Sequence, residues 1–177
     1  MKATLKILLI VISAFFMSCG NNNDNNNNNL PASVTGTNYL TMKINGVEWK
    51  SDTKAVSGIF HPDGYNDATL ISGKIGNGAL QQIFSLNMYR TTGVGEYIFS
   101  NVTESGYTTD YKVVQLINLN PQDYIYGGLI GVYNMKVKVT KAVKNPQLLE
   151  ATFEGTLKGG VRSDVITITE GKFYYQE

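Results

Sequence analysis

Few residues in this chain could do chemistry, and they fall into three groups. Cys19 is the only cysteine. It stands in Phe16-Met17-Ser18-Cys19-Gly20, where an apolar leader gives way to an asparagine tract, and that position reads as a lipid attachment point. His61, the only histidine, heads the turn-forming stretch His61-Pro62-Asp63-Gly64-Tyr65-Asn66-Asp67. Within it Asp63, Asn66 and Asp67 offer the oxygen ligands that suit calcium, though without the EF-hand spacing, and turn chemistry accounts for the same residues. The third group is aromatic: Tyr65, Tyr107, Tyr124 and Tyr126 fall in expected loops, and Trp49 is the single tryptophan. Tyrosine joins an apolar ring to a polar tip, which suits protein interfaces and sugar faces alike. The plainer alternatives are rings that cap the ends of a β-core, and a core anchor near an edge for Trp49.

Several reaction classes are excluded or unsupported. With Cys19 consumed by lipid, the folded part has no thiol for a disulfide, a thiolate zinc site or a cysteine nucleophile. A single histidine rules out a histidine-rich metal site. Any Ser/His/Asp triad must use His61, yet no serine lies in a Gly-x-Ser-x-Gly turn. A glycosidase needs two carboxylates at a defined separation, which composition cannot supply. No phosphate-binding Gly-Lys-Ser/Thr loop or dinucleotide fingerprint occurs. The chain carries 15 Lys+Arg against 14 Asp+Glu; with Lys2, Lys6 and Asp24 assigned to the segments before the domain, 13 of each remain. A neutral domain has no electrostatic footprint for nucleic acid. The expectation is a protein without cofactor, resident metal or catalytic residues.

Lys2 and Lys6 give a positive start, and Ile7 to Met17 is apolar except for Ser13. That length fits a signal-peptide core and falls short of the roughly 20 residues a membrane-spanning helix needs. Residues 21–29 hold eight Asn and one Asp. With nothing apolar to bury, such a tract cannot offset the entropy of ordering and reads as a tether. The expected division is therefore 1–18 signal peptide, 19–29 lipidated cysteine and tether, and 30–177 one β-domain. The leader resembles a bacterial lipoprotein signal, with Ser18 as the small residue before the cysteine that becomes the diacylated N-terminus and Phe16 where leucine is usual. The resemblance implies a lipid anchor at Cys19 in the cell envelope, in the outer membrane. Asp24 is the only acidic residue close behind the cysteine, which leaves the periplasmic or surface face open.

Eighteen glycines, eleven tyrosines and recurring Thr, Val and Ile favour strands joined by tight turns. Tyr39 to Ile44 alternates, with Leu40, Met42 and Ile44 on one face, before Asn45-Gly46 supplies the positive φ angles of a hairpin turn. Val47 and Trp49 are expected to resume the buried face. Strands are expected over Thr53 to Phe60, Ala68 to Ile75, Ala79 to Tyr89 with Leu80, Phe84, Leu86 and Met88 sharing a face, and Glu96 to Phe99. Residues 101–110 read as a loop, and Tyr111 to Leu119 as a central strand with apolar residues at both parities. Asp123 to Gly128 reads as a tyrosine-bearing turn and Leu129 to Tyr133 as a short strand. Met135, Val137 and Val139 then oppose Lys136, Lys138 and Thr140, and the partner strand places Ala151, Phe153, Gly155 and Leu157 inside. That pairing is expected to set Lys136 and Lys138 across from Glu150 and Glu154, as a solvated sheet face and not a binding patch. In the last strand Ile166 and Ile168 keep one parity and Phe173 and Tyr175 the other, so a bulge is expected at Gly171.

The expected fold is all-β, an antiparallel sandwich of consecutive hairpins, with a closed or partly closed meander barrel as the alternative. With these elements placed, the chain resembles an uncharacterised family of small Bacteroidetes lipoproteins. The residues that carry the resemblance are Ile44-Asn45-Gly46-Val47-Glu48-Trp49, Gly95-Glu96-Tyr97, Ala151-Thr152-Phe153-Glu154-Gly155 and Ile168-Thr169-Glu170-Gly171-Lys172-Phe173. It implies an envelope lipoprotein with a β-domain and supplies no catalytic residues. The functional expectation is a non-catalytic binding or structural module whose partners are the lipid bilayer, through Cys19, and an envelope protein or glycan. The alternatives are a barrel carrier of a small apolar ligand, with a cavity lined along Ala79 to Met88, and an unrecognised hydrolase.

Overall fold

The computed structural model describes residues 37–61, 68–89, 93–100, 112–120, 123–128, 133–160 and 164–177, the side chains of Asn120, Asp123 and Tyr124 excepted. Among the described residues eleven strands follow one another: β1 (Tyr39–Ile44), β2 (Val47–Lys50), β3 (Val56–His61), β4 (Ala68–Ile75), β5 (Gln82–Met88), β6 (Gly95–Ser100), β7 (Lys112–Asn120), β8 (Asp123–Gly127), β9 (Tyr133–Val143), β10 (Leu148–Lys158) and β11 (Val165–Gln176). They form a six-stranded sheet in the order β2-β1-β11-β10-β9-β6 and a five-stranded sheet in the order β3-β4-β5-β7-β8. Every neighbouring pair is antiparallel. The fold is an antiparallel β-sandwich; the two sheets stay separate, so the barrel alternative is set aside.

Alternation fills the space between the sheets. Leu40, Met42 and Ile44 of β1, Met135, Val137 and Val139 of β9, and Ala151, Phe153 and Leu157 of β10 turn inward. They meet Phe84, Leu86 and Met88 of β5 and Val114 and Leu116 of β7. Phe153 stacks on Phe84 across the sandwich with ring centroids 5.1 Å apart. The β5 residues that a carrier would use to line a cavity are thus part of this packed core.

The β1–β2 hairpin forms as its sequence requires: Asn45 and Gly46 have φ of 50° and 82°, a pair of left-handed residues that matches the twist of the flanking strands. Five expectations change. Thr53 to Ala55 form a 3-10 turn, so the strand expected from Thr53 begins only at Val56. Val47 is exposed instead of buried, because it sits at the hairpin tip on a strand with no second neighbour in its sheet. Leu80 is likewise exposed, since the left-handed Gly76 and Gly78 keep the chain in a 3-10 turn and β5 starts only at Gln82. Asp123 to Gly127 is a strand and not a turn, paired with β7. The left-handed Gly127 and Gly128 make the turn after it. Glu150 stands opposite Lys141, with Thr140 bulged out of the ladder, and Lys138 stands opposite Thr152; only the Lys136–Glu154 pairing is as expected.

The bulge in β11 is present. Between Lys172 and Thr169 the strand advances three residues while β1 advances from Thr41 to Lys43. It does the same against β10, between Gly171 and Ile168. Glu170 takes the left-handed conformation with φ 53°. Gly171 is small for a different reason: a Cβ there would run into the ring and carbonyl of Phe153.

Two sheet edges are closed by other parts of the chain. The Gln147 side chain accepts from the Phe60 N–H at 2.8 Å and donates to the Phe60 carbonyl at 3.3 Å, standing in for a missing neighbour of β3. At β8, the Gly160 N–H donates to the Ile125 carbonyl at 3.0 Å and Tyr126 bridges to Gly159. Capping an edge in this way blocks pairing with another chain.

Candidate functional site

The residues singled out by type do not assemble into one site. Cys19, Asp63, Tyr65, Asn66, Asp67 and Tyr107 lie outside the described residues, and Tyr124 is described only as backbone in β8. Tyr126 and Trp49 are buried, at 3% and 4% exposure, which removes both from the candidate binding rings and agrees with the expected place of Trp49 on the buried face. Trp49 reaches from the edge strand β2 to pack edge-on against Phe84, and its indole N–H donates to Gln82 Oε1 at 2.8 Å. A ring committed to the core with its one polar atom satisfied is an anchor. Tyr126 lies on the inner parity of β8, opposite Leu116. His61 ends β3 and is exposed. Among the described residues no group of three His, Cys, Asp or Glu side chains could hold a metal, and no helix is long and apolar enough to cross a membrane.

The outer face of the six-stranded sheet is where polar side chains do converge. Strand register lays out one row across all six strands: Glu96, Lys138, Thr152, Lys172, Thr41 and Lys50. Five spacings of about 4.8 Å make this row roughly 24 Å long. Beside it on one side lie Ile98, Lys136 and Glu154, and on the other Glu150, Tyr174 and Tyr39. Alternation puts these side chains in solvent because their neighbours along each strand fill the core.

A depression of about 270 Å³ opens on this face, with Glu96, Lys136 and Lys138 on one side, Glu170 and Lys172 on the other, and Thr152 and Glu154 between them on β10. Most of its charges are already engaged. Lys43 Nζ meets Glu170 Oε1 at 2.6 Å, Lys141 Nζ meets Glu150 Oε2 at 2.7 Å, and Glu96 receives Lys136 at 3.5 Å and Lys138 at 3.8 Å. The hydrogen bond to Glu170, and then its charge, hold the Lys43 ammonium above the usual lysine range. Glu150 does the same for Lys141. Lys172 and Glu154 make no ion pair with a described residue, so the depression keeps one free cation and one free anion.

At the margin of this surface Tyr39 and Tyr174 are cross-strand partners with stacked rings, 5.9 Å between centroids and 21° between planes. Tyr39 is 36% exposed. The Tyr174 hydroxyl donates to Gln176 Oε1 at 2.6 Å. Gln176 is itself clamped: its N–H donates to Asn38 Oδ1 at 2.8 Å and its carbonyl accepts from Asn38 Nδ2 at 3.1 Å. The ring pair is therefore held in place before any partner arrives. Sequence reasoning looked for tyrosines in loops and passed over these two, which stand on solvent-facing strand positions at opposite ends of the domain. Alternation places Tyr39 outward, but nothing local tells that β1 lies beside β11.

No family model, no curated protein and no solved structure matches this chain.

Proposed function

We propose that the protein is a non-catalytic binding module of the bacterial cell envelope, held to the outer membrane by lipid on Cys19, and that the outer face of its six-stranded sheet is the binding surface. The observation that carries this reading is the fixed Tyr39–Tyr174 ring pair beside an open depression that retains an unengaged Lys172 and Glu154. Ordered aromatic rings next to uncommitted donors and acceptors give contact area and orientation without further ordering cost. Among the described residues no group of three His, Cys, Asp or Glu side chains could hold a metal, and His61 stands exposed at the end of β3.

The surface is tested by pull-down and titration of envelope glycans and envelope proteins on the full-length protein in detergent, comparing wild type with the Tyr39→Ala/Tyr174→Ala double variant. Binding that is lost in the variant, with the unfolding midpoint retained, supports the face; binding indifferent to it overturns the assignment. The anchor is tested separately. Cys19→Ala should abolish fatty-acid labelling and release the protein from membranes, and labelling that survives removes Cys19 as the attachment point.

A further inference from the structure

Resting on that reading of the sheet face, we infer that its ligand class is an uncharged polysaccharide, lying across the strands along the row from Glu96 to Lys50. Charge decides against a polyelectrolyte. Lysines and glutamates are interleaved over the face, and the two groups left unengaged in the depression are of opposite sign, Lys172 on β11 and Glu154 on β10. A polyanion drawn to Lys172 meets Glu154 and Glu170 in the same depression, and a polycation drawn to those carboxylates meets Lys172. Like-charge juxtaposition of this kind suppresses a charged partner of either sign. A chain of hydroxyls has no such conflict: it accepts from the Lys172 ammonium, donates to the Glu154 carboxylate, and does either with the Thr152 hydroxyl.

The face also differs from a stable protein interface, whose centre is depleted of charge and enriched in apolar side chains. Here the centre is Lys138, Thr152 and Lys172, and the large exposed aliphatic residues of these strands lie away from it, Ile98 on the edge strand β6 and Val47, Val143 and Val165 at strand ends. The apolar contribution comes instead from the flat rings of Tyr39 and Tyr174 at the margin, which suit the C–H face of a sugar ring. Lys172 and Tyr174 lie two residues apart on the same side of β11, so a chain hydrogen-bonded at Lys172 passes beside the ring pair. The row crosses all six strands over roughly 24 Å, a span that a polymer chain can follow.

The test is titration of the full-length protein with xylo-, manno-, cello- and malto-oligosaccharides of increasing length, with polygalacturonate as the anionic polymer, at low and high salt. The expected result is binding of at least one neutral series, with affinity that rises with chain length, levels off once the row is spanned, and is insensitive to salt. Tyr39→Ala/Tyr174→Ala should weaken it at least about tenfold. Tyr39→Phe/Tyr174→Phe should retain it, which separates loss of the rings from loss of fold. Salt-sensitive binding of polygalacturonate through Lys172, or capture of an envelope protein that Tyr39→Ala/Tyr174→Ala abolishes, overturns the neutral-glycan class while leaving the binding face standing. Binding of a neutral series that none of these variants alters removes the face as well, and so does the absence of binding to any of these oligosaccharides, polygalacturonate or envelope proteins.

Discussion

Replacing Gly171 with alanine puts a number on one of the close approaches between strands of the six-stranded sheet. Gly171 lies directly opposite Phe153 on β10, and its backbone is not in the left-handed region. A methyl group there brings no conformational strain, only a collision with the Phe153 ring and carbonyl. Neither can move freely. The ring is stacked on Phe84 at 5.1 Å and buried at 3% exposure, and the carbonyl belongs to a central strand paired on both sides. Overpacking a filled core costs about 1–3 kcal/mol, and a clash that includes backbone puts Gly171→Ala near the upper end, about 3 kcal/mol. Phe153→Leu removes the ring's contribution to the collision at a packing cost of about 1–2 kcal/mol.

The double variant should therefore be less destabilised than the two single costs added together, by about 1 kcal/mol, the residue being the carbonyl clash that Leu does not relieve. Urea unfolding by intrinsic fluorescence gives all four stabilities by linear extrapolation. In thermal scans each 1 kcal/mol corresponds to about 2–4 °C for a chain of this size. A Gly171→Ala protein within about 0.5 kcal/mol of wild type would mean that the strands are not packed this closely. Strict additivity in the cycle would exonerate the ring.

Three further outcomes follow from named contacts. Asn45→Ala should cost about 2 kcal/mol, because alanine resists φ near 50° and loses the bond that Asn45 Oδ1 accepts from the Thr167 N–H at 2.8 Å. Asn45→Gly should cost only about half that, and equal losses in urea titrations would refute the backbone part. Gln147→Ala, which uncaps Phe60 at the β3 edge, should lose about 1–3 kcal/mol and scatter light sooner on heating; scattering that matches wild type would show that the cap does not guard the edge. Tyr133 gives a pH effect. Burial pushes its phenol above the ordinary 10.0, while its hydroxyl donates to the Lys112 carbonyl at 2.7 Å. Above about pH 10 the unfolded phenol loses its proton first, so the folded form binds more protons and stability falls as pH rises toward the folded value. Tyr133→Phe should cost about 1 kcal/mol at neutral pH and make the alkaline decline shallower, and urea midpoints with the same pH slope in both proteins would argue against it.

Local features of the fold were the most readable. Alternation marked β1, β9, β10 and β11, Asn45-Gly46 marked a turn, and the change of parity between Ile168 and Phe173 demanded an extra residue, which the Glu170–Gly171 bulge supplies. Errors gathered where packing outweighs local preference. Asp123 to Gly127 carries turn-forming residues but gains a ladder against β7 and buries Tyr126. Leu80 has the parity of the core, yet two left-handed glycines hold it outside. The partner of Glu150 shifted by a single bulged residue, Thr140, which no charge pattern could reveal.

Of the face proposed to bind, local pattern showed only the solvent-facing β9–β10 hairpin, because the rest depends on two pairings between distant parts of the chain. β11 is inserted between β1 and β10, and β6 leaves its sequence neighbours to join β9 in the other sheet. The first pairing brings Tyr39 to Tyr174 and Thr41 to Lys172; the second brings Glu96 to Lys138. Loop closure over such separations is costly until the core between the sheets repays it. The surface is thus assembled only when the last strand docks. Loss of ligand binding should then coincide with global unfolding in urea and not precede it. A variant of the β11 bulge, where Lys43 grips Glu170 at 2.6 Å, should act on both through the same register. Glu170→Pro removes the left-handed conformation that the bulge needs, so it should cost stability and binding together; binding that survives a large loss of stability would detach the site from this strand order.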